Sequence, residues 1–143
     1  MKDASRLATV VLVMAVVLLL LEHWLLADAP ALIALQGLAA ALMLWARLIF
    51  GLRSFHAAAN PTAGGLVTTG PYRFVRHPIY SAILLFVWAG VADHARLVPL
   101  GLGVLASVAL AIRMRAEEQL VTERYPEYAA YAATTKRVIP FLL

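Results

Sequence analysis

Four apolar runs set the pattern of this chain. Leu7–Ala27 covers 21 residues, and Ala31–Phe50 carries only Gln36 and Arg47 as strongly polar interruptions. Each matches the ~20 residues, at ~1.5 Å apiece, that take a helix across about 30 Å of hydrocarbon. Asp28-Ala29-Pro30 separates the two runs and predicts a tight turn, with Pro30 near the first position of the second helix. Ala31, Ala34 and Ala39–Ala41 beside Leu32, Leu35, Leu38 and Leu42 suit close helix packing. Further along, Ile79–Ala92 and Leu97–Ile112 are joined by Asp93-His94-Ala95-Arg96. These runs are shorter, roughly 14 and 16 residues against the ~20 that a span prefers. A hairpin so short must tilt, thin the bilayer or continue as helix beyond it.

The polar stretches lie between and after these runs. Gly51–His77 contains Asn60-Pro61, Gly64-Gly65 and Gly70-Pro71, all turn signals, and a connection of this length usually carries function. The tail Gln119–Leu143 returns to a polar composition. Tyr125, Tyr128 and Tyr131 recur there around Pro126, and Val138–Leu143 is apolar. That pattern predicts an interfacial amphipathic segment with its tyrosines at headgroup depth. The chain is expected to form a single domain over residues 1–143: two N-terminal transmembrane helices in 1–52, then loop, hairpin and C-terminal segment in 53–143.

Composition sharpens the class. With 63% hydrophobic residues, 14% charged and a mean hydropathy of +0.83, there are too few polar side chains to cover a water-soluble surface. The fold class is an all-α integral membrane protein of about four transmembrane helices, the last two a short hairpin. The pI of 9.9 does not point to nucleic acid, because the cations cluster at helix ends. Lys2 and Arg6 precede the first run; Arg47, Arg53, Arg73 and Arg76 lie at or after the end of the second; Arg113, Arg115, Arg124, Lys136 and Arg137 follow the last. Arg96 alone of these falls on the other side. This asymmetry predicts cytoplasmic termini and a cytoplasmic central loop. The N-terminus resembles a signal peptide in its basic start and its Ala27-Asp28-Ala29 stretch. Its long apolar core, followed by Glu22, His23 and Trp24, predicts a retained helix instead. With no cysteine, disulfides and thiolate chemistry are excluded.

If the hairpin continues as helix past the hydrocarbon, its two feet are adjacent. His77 and Tyr80 at one foot then meet Arg113, Glu117 and Glu118 at the other. Arg113 and Glu117 are four apart and share a helix face, while Glu118 points about 100° away, toward solvent or another partner. A carboxylate, a guanidinium, an imidazole and phenol rings suit a zwitterionic ligand with an extra positive centre. Taken singly, each residue better suits a plainer role as a solvated ion pair or an interfacial anchor. His23 and His94 lie at the outer side and His56 outside the dense stretch; none is expected to carry chemistry. The histidines show no metal-ligand spacing, and no Ser-His-Asp or P-loop pattern occurs, so no metal is expected.

LVTTGPYRFVRHPIY at Leu66–Tyr80, RMRAEEQL from Arg113 and EYAAYAATTKRVIPF from Glu127 together resemble the isoprenylcysteine carboxyl methyltransferase family and its relatives, the membrane phospholipid methyltransferases. The likeness covers roughly Gly64–Phe141. Arg-His-Pro-x-Tyr, a hairpin-length spacer and Glu-Glu are specific in combination. The resemblance implies an S-adenosyl-L-methionine-dependent methyltransferase whose cofactor pocket is closed by the cytoplasmic loop and the C-terminal segment. It implies that Leu66, Val67, Tyr72, His77, Pro78, Ile79 and Tyr80 line that pocket, that Glu117 holds the cofactor, and that Arg113 faces the acceptor. Related enzymes often carry a histidine before the Leu-Val, where this chain has Gly64-Gly65; those glycines are not expected as ligands. The tail is shorter than in the eukaryotic enzymes and shows no separate prenyl-binding region, so prenylcysteine is not fixed as the substrate.

The expected function is methyl transfer to a lipophilic acceptor: an isoprenylcysteine-like or other carboxylate, or a lipid amine. Methyl transfer from a sulfonium is an in-line displacement, served mainly by positioning and by excluding water. A carboxylate acceptor needs no base; an amine or thiol would need one, with His77 and Glu117 the candidates. Two other classes remain open: an NADPH-dependent membrane reductase of the sterol-reductase type, and a non-catalytic membrane adaptor. The expected partners are membrane lipids and a lipophilic or lipid substrate. The expected location is a membrane, taken as a bacterial inner membrane, with the active site cytoplasmic. A topology reporter fused after Leu143 should be active only on the cytoplasmic side; activity on the outer side would reverse the orientation.

Overall fold

The computed structural model describes residues 2–51 and 66–139. Its helices are α1 (Lys2–Leu21), α2 (Pro30–Phe50), α3 (Pro78–Asp93), α4 (Leu97–Arg124) and α5 (Tyr128–Thr134), with a 3₁₀ turn at Gly70–Arg73 before α3. Among the described residues there is no strand, only an isolated parallel bridge between Val75 and Lys136. α1 packs on α4, α2 packs on α3, and the α3–α4 hairpin joins the two pairs.

The α1–α4 seam follows from residue size. Ser5, Ala8, Leu12, Ala15 and Leu19 recur at three- and four-residue steps and are all buried. Ala8, Leu12 and Ala15 meet Ala106, Ala109, Leu110 and Met114, where small side chains let the two backbones approach. The outward faces are the reverse. Leu7, Val10, Val13, Leu38, Leu48, Val104 and Val108 all stand exposed. Such apolar faces suit lipid rather than water. Among the described residues three helices, α1, α2 and α4, are long and apolar enough to cross a membrane. α3, the first arm of the expected short hairpin, is an apolar helix of 16 residues and falls below that length.

Two boundaries differ from the apolar runs. α1 stops at Leu21 rather than running on to Ala27, because His23 takes a left-handed φ of 59°. Trp24 N–H then bonds Leu19 O at 2.8 Å and His23 N–H bonds Leu20 O at 3.1 Å, which closes the helix as a Schellman turn with histidine where glycine is usual. At the other extreme, α4 continues 12 residues past Ile112 to Arg124, so the hairpin does extend as helix beyond its apolar part.

The segment from Glu22 to Ala29 needs partners for its irregular backbone, and α2 and α3 supply them. Gln36, buried on α2, accepts from Ala27 N–H at 3.1 Å. It also donates to Leu25 O at 2.8 Å and to Phe86 O at 3.1 Å. Asp93 accepts from the N–H groups of Asp28 and Ala29. The same segment crosses α3 at Gly90, where an added Cβ would press into the carbonyls of Leu25 and Trp24. Gly90→Ala is therefore expected to destabilise the protein by roughly 1–3 kcal/mol through forced backbone displacement. Gln36→Leu should cost a similar amount, because Ala27 N–H and Leu25 O lose their partner. Thermal unfolding in detergent measures both, with Gly37→Ala, which has open space at its Cβ position, as the neutral control.

Candidate active site

The 3₁₀ turn and the start of α3 are shaped by two prolines. Gly70 has φ +59°, and Pro71 opens the 3₁₀ turn that carries Tyr72. Pro78 opens α3, so His77 sits at the N-cap with a non-helical backbone (φ −124°) and projects across the end of the bundle. Tyr80 follows within the first turn of α3. Its ring stacks with His77 at 5.5 Å between centroids and 17° between planes.

Opposite them, α4 presents Arg113, Glu117 and Glu118. Arg113 is only 6% exposed. Its Nε donates to Tyr80 Oη at 3.0 Å, and its Nη2 lies 3.2 Å from Glu117 Oε1. Tyr80 Oη also donates to Glu117. His77 stands between the two carboxylates, with Nδ1 3.8 Å from Glu117 Oε2 and Nε2 3.2 Å from Glu118 Oε1. The two clusters that lie far apart in sequence thus meet at one end of the bundle.

Glu118 does not face open solvent; it collects cations from two further segments. Arg76 Nε lies 3.0 Å from its Oε1 and Arg137 Nη2 2.9 Å from its Oε2. The hydrogen bond to Glu118 raises the Arg137 guanidinium above its already high ordinary pKa. Arg76 Nη1 also donates to Ala132 O at 2.7 Å. The tail is stitched to the segment before α3: Arg76 N–H bonds Lys136 O at 2.7 Å, and His77 N–H bonds Arg137 O at 2.9 Å. Ser81 Oγ donates to Val138 O at 2.7 Å. The tail is therefore a clasp over the Arg76–His77 corner. Two of its tyrosines pack inward: Tyr128 is buried, and Tyr131 Oη donates to Tyr72 O. Burial pushes the Tyr131 phenol up to about 12.

Tyr72 is buried beneath this clasp, its ring 5.5 Å from that of Phe50. Burial, with Tyr131 and Glu117 close enough to repel a phenolate, raises its pKa, so it remains a neutral hydroxyl. Leu66 and Val67 lead toward the turn as half-buried coil. Pro78 is buried, and Ile79 packs on the apolar cluster around Ala106 and Leu110. Gly64-Gly65, Asn60-Pro61 and His56 lie outside the described residues. An open groove of about 610 Å³ runs between the end of α4 and α5, lined by Arg76, Arg115, Glu118, Gln119, Tyr128 and Arg137 among others.

The far end of the bundle holds Asp28, Asp93 and His94, whose ligand atoms lie within 4.8 Å of one another. Sequence spacing hides this grouping. Asp93 is already engaged by backbone N–H groups, and His94 Nε2 lies 3.0 Å from Leu26 O, so the trio serves the α1–α2 connection. Sequence reasoning also missed Thr9, whose hydroxyl accepts from Arg113 Nη1, and the engagement of Glu118 by Arg76 and Arg137. A single hydroxyl in an apolar run carries no signal, and the cations of the tail read equally well as interfacial charge.

Comparison with known proteins assigns the chain to a family. The family profile described as phospholipid methyltransferase matches residues 24–128. The chain is 32% identical over 78 residues to the cobalt-zinc-cadmium resistance protein CzcN of Cupriavidus metallidurans, a stretch covering 54% of this chain and 36% of that protein. No solved structure matches. The profile takes in the 3₁₀ turn, both feet of the hairpin and the two carboxylates, and on that span the chain belongs to the phospholipid methyltransferase family.

Proposed function

We propose that this protein is a membrane methyltransferase that uses S-adenosyl-L-methionine and transfers its methyl group to a lipophilic acceptor at the cytosolic membrane face. The observation that carries the reading is the convergence of His77, Tyr80, Arg113 and Glu117 on one spot at the end of the α3–α4 hairpin. The donor set fits the cofactor's chemistry. Glu117 keeps a quarter of its side chain exposed, with Oε2 only loosely engaged at 3.8 Å from His77, so a carboxylate oxygen is open to an ammonium or a ribose hydroxyl. The Tyr80 and Tyr72 rings offer faces to a sulfonium. Glu117, His77, Tyr72 and Tyr80 would hold the cofactor, with Leu66, Val67, Pro78 and Ile79 as apolar lining. When bound, it supplies an electrophilic methyl on a positively charged sulfur.

The chain's own residues then position and desolvate. Arg113, buried and tied to two neighbours, offers a fixed guanidinium toward the acceptor's polar end. Tyr72 stays protonated and donates rather than accepting a proton. The tail clasp covers the Arg76–His77 corner and keeps water from it. Displacement at a methyl group needs alignment above all, and groups pinned from three elements supply that. A lipophilic acceptor would arrive sideways between helices.

Calorimetric titration of the purified protein in detergent is expected to show binding of S-adenosyl-L-methionine and S-adenosylhomocysteine but not NADPH. A folded sample that ignores both methionine derivatives would sink the reading. NADPH binding would favour a reductase, and no binding at all would favour an adaptor. Glu117→Ala should weaken cofactor affinity roughly a hundredfold or more, as expected for losing a charged partner in a desolvated site. Glu117→Gln, which keeps shape but not charge, checks that folding is not the cause. Arg113→Ala should leave affinity within a few-fold and cut transfer of labelled methyl into membrane lipids. Parental turnover in that variant would show the acceptor assignment to be wrong.

A further inference from the structure

Resting on the methyltransferase reading, we propose that α1 contributes a positioning residue to the acceptor side of the site: Thr9, which holds the guanidinium of Arg113. α1 precedes the residues that match the family profile, 24–128, so nothing in that match assigns it a part in the site.

The case starts from the fork of Arg113. Its Nε bonds Tyr80 on α3 at 3.0 Å, its Nη2 bonds Glu117 one turn along α4 at 3.2 Å, and its Nη1 bonds Thr9 Oγ1 on α1. Each of the three nitrogens is thus taken from a different element. Glu117 and Tyr80 also bond each other, so they form one joint anchor on a single side of the guanidinium. Thr9 bonds it from the other side. A planar group held only along one edge can still tilt about that edge, and a third point removes the tilt. An arginine side chain has considerable conformational freedom, so this restraint has something to act on.

The hydroxyl of Thr9 is itself oriented. It donates to Ser5 O at 2.9 Å, which commits its one proton and turns its lone pairs toward the guanidinium. Ser5 is fully buried against α4, and the small-residue seam of Ala8, Leu12 and Ala15 presses this stretch of α1 onto it. The restraint therefore rests on helix packing and not on a loop. A hydroxyl serving only to satisfy its own helix would need the Ser5 carbonyl and nothing else.

The test compares Thr9→Val, which keeps the shape and removes the acceptor, with Thr9→Ser, which keeps the hydroxyl. Full-length protein in detergent, labelled with ¹⁵N-arginine, reports solvent exchange of the Arg113 Nε–H, with its signal assigned by Arg113→Lys. Calorimetry with S-adenosyl-L-methionine and transfer of labelled methyl into vesicles of mixed bacterial phospholipids report function. In Thr9→Val the exchange should speed up roughly tenfold and transfer should fall roughly ten- to a hundredfold, the range expected for a misplaced positioning group. Cofactor affinity should stay within about twofold, and Thr9→Ser should restore most of both losses. Parental exchange in Thr9→Val, or equal losses in the valine and serine variants, would overturn the proposal. So would a fall in transfer that only follows lost cofactor binding. A parent protein that neither binds the cofactor nor transfers methyl would overturn the methyltransferase reading and the acceptor role with it. The exchange comparison would still decide whether Thr9 holds Arg113.

Discussion

His77 lies between two carboxylates, and most of the structure around it exists to keep it there. Glu117 and Glu118 are adjacent on α4, so they leave the helix about 100° apart. The imidazole reaches both, 3.8 Å from one and 3.2 Å from the other. Each carboxylate then recruits its own cation: Arg113 for Glu117, Arg76 and Arg137 for Glu118. A pair of like charges at the edge of a low-dielectric bundle is tolerable only when it is compensated in this way. The N-cap position before Pro78 and the backbone bonds from the tail follow as the means of holding that imidazole in place.

The opposite end of the bundle meets the same constraint without charge chemistry. The chain between α1 and α2 has irregular backbone close to apolar surface, where orphaned amides are expensive. Gln36 alone answers three backbone groups, and Asp93 answers two more. Gly90 then lets the segment lie directly on α3. One end of the molecule is therefore spent on self-satisfaction, while the other concentrates groups that retain spare capacity, such as the loosely engaged oxygen of Glu117. Under the proposed function, that asymmetry marks the end at which the chemistry would sit.

How much of this was legible depended on range. Hydropathy located the apolar runs because it sums over many residues, yet it placed the end of α1 too late. Glu22–Ala27 is mostly apolar, and the break there is a change in the sign of φ at His23, to which hydropathy is blind. The end of α4 was understated for the converse reason: Arg113–Arg124 is charged but made of good helix formers. The meeting of His77 and Tyr80 with Arg113, Glu117 and Glu118 could be foreseen, since a tight hairpin has adjacent feet. Thr9 and Arg137 could not, because their places depend on which helices pack together and on the path of a tail that sequence spacing leaves free. The inward contacts of Tyr128 and Tyr131 were hidden on the same account, since they depend on the path of the tail.

On the proposed methyltransferase reading, the buried guanidinium of Arg113 would bear on the kind of acceptor that suits the site. Arg113 and Glu117 cancel at 3.2 Å, and Tyr80 bridges them as a neutral hydroxyl donor. The cluster is thus polar, preorganised and close to charge-neutral. A polar group approaching it exchanges water for fixed dipoles, with little reorganisation left to occur at the moment of reaction. A freely charged arginine would instead draw hydration to the place from which water must be excluded. Neutralising the arginine in advance keeps its directional donors while removing most of its hold on solvent, which suits an acceptor that arrives from lipid with little hydration of its own.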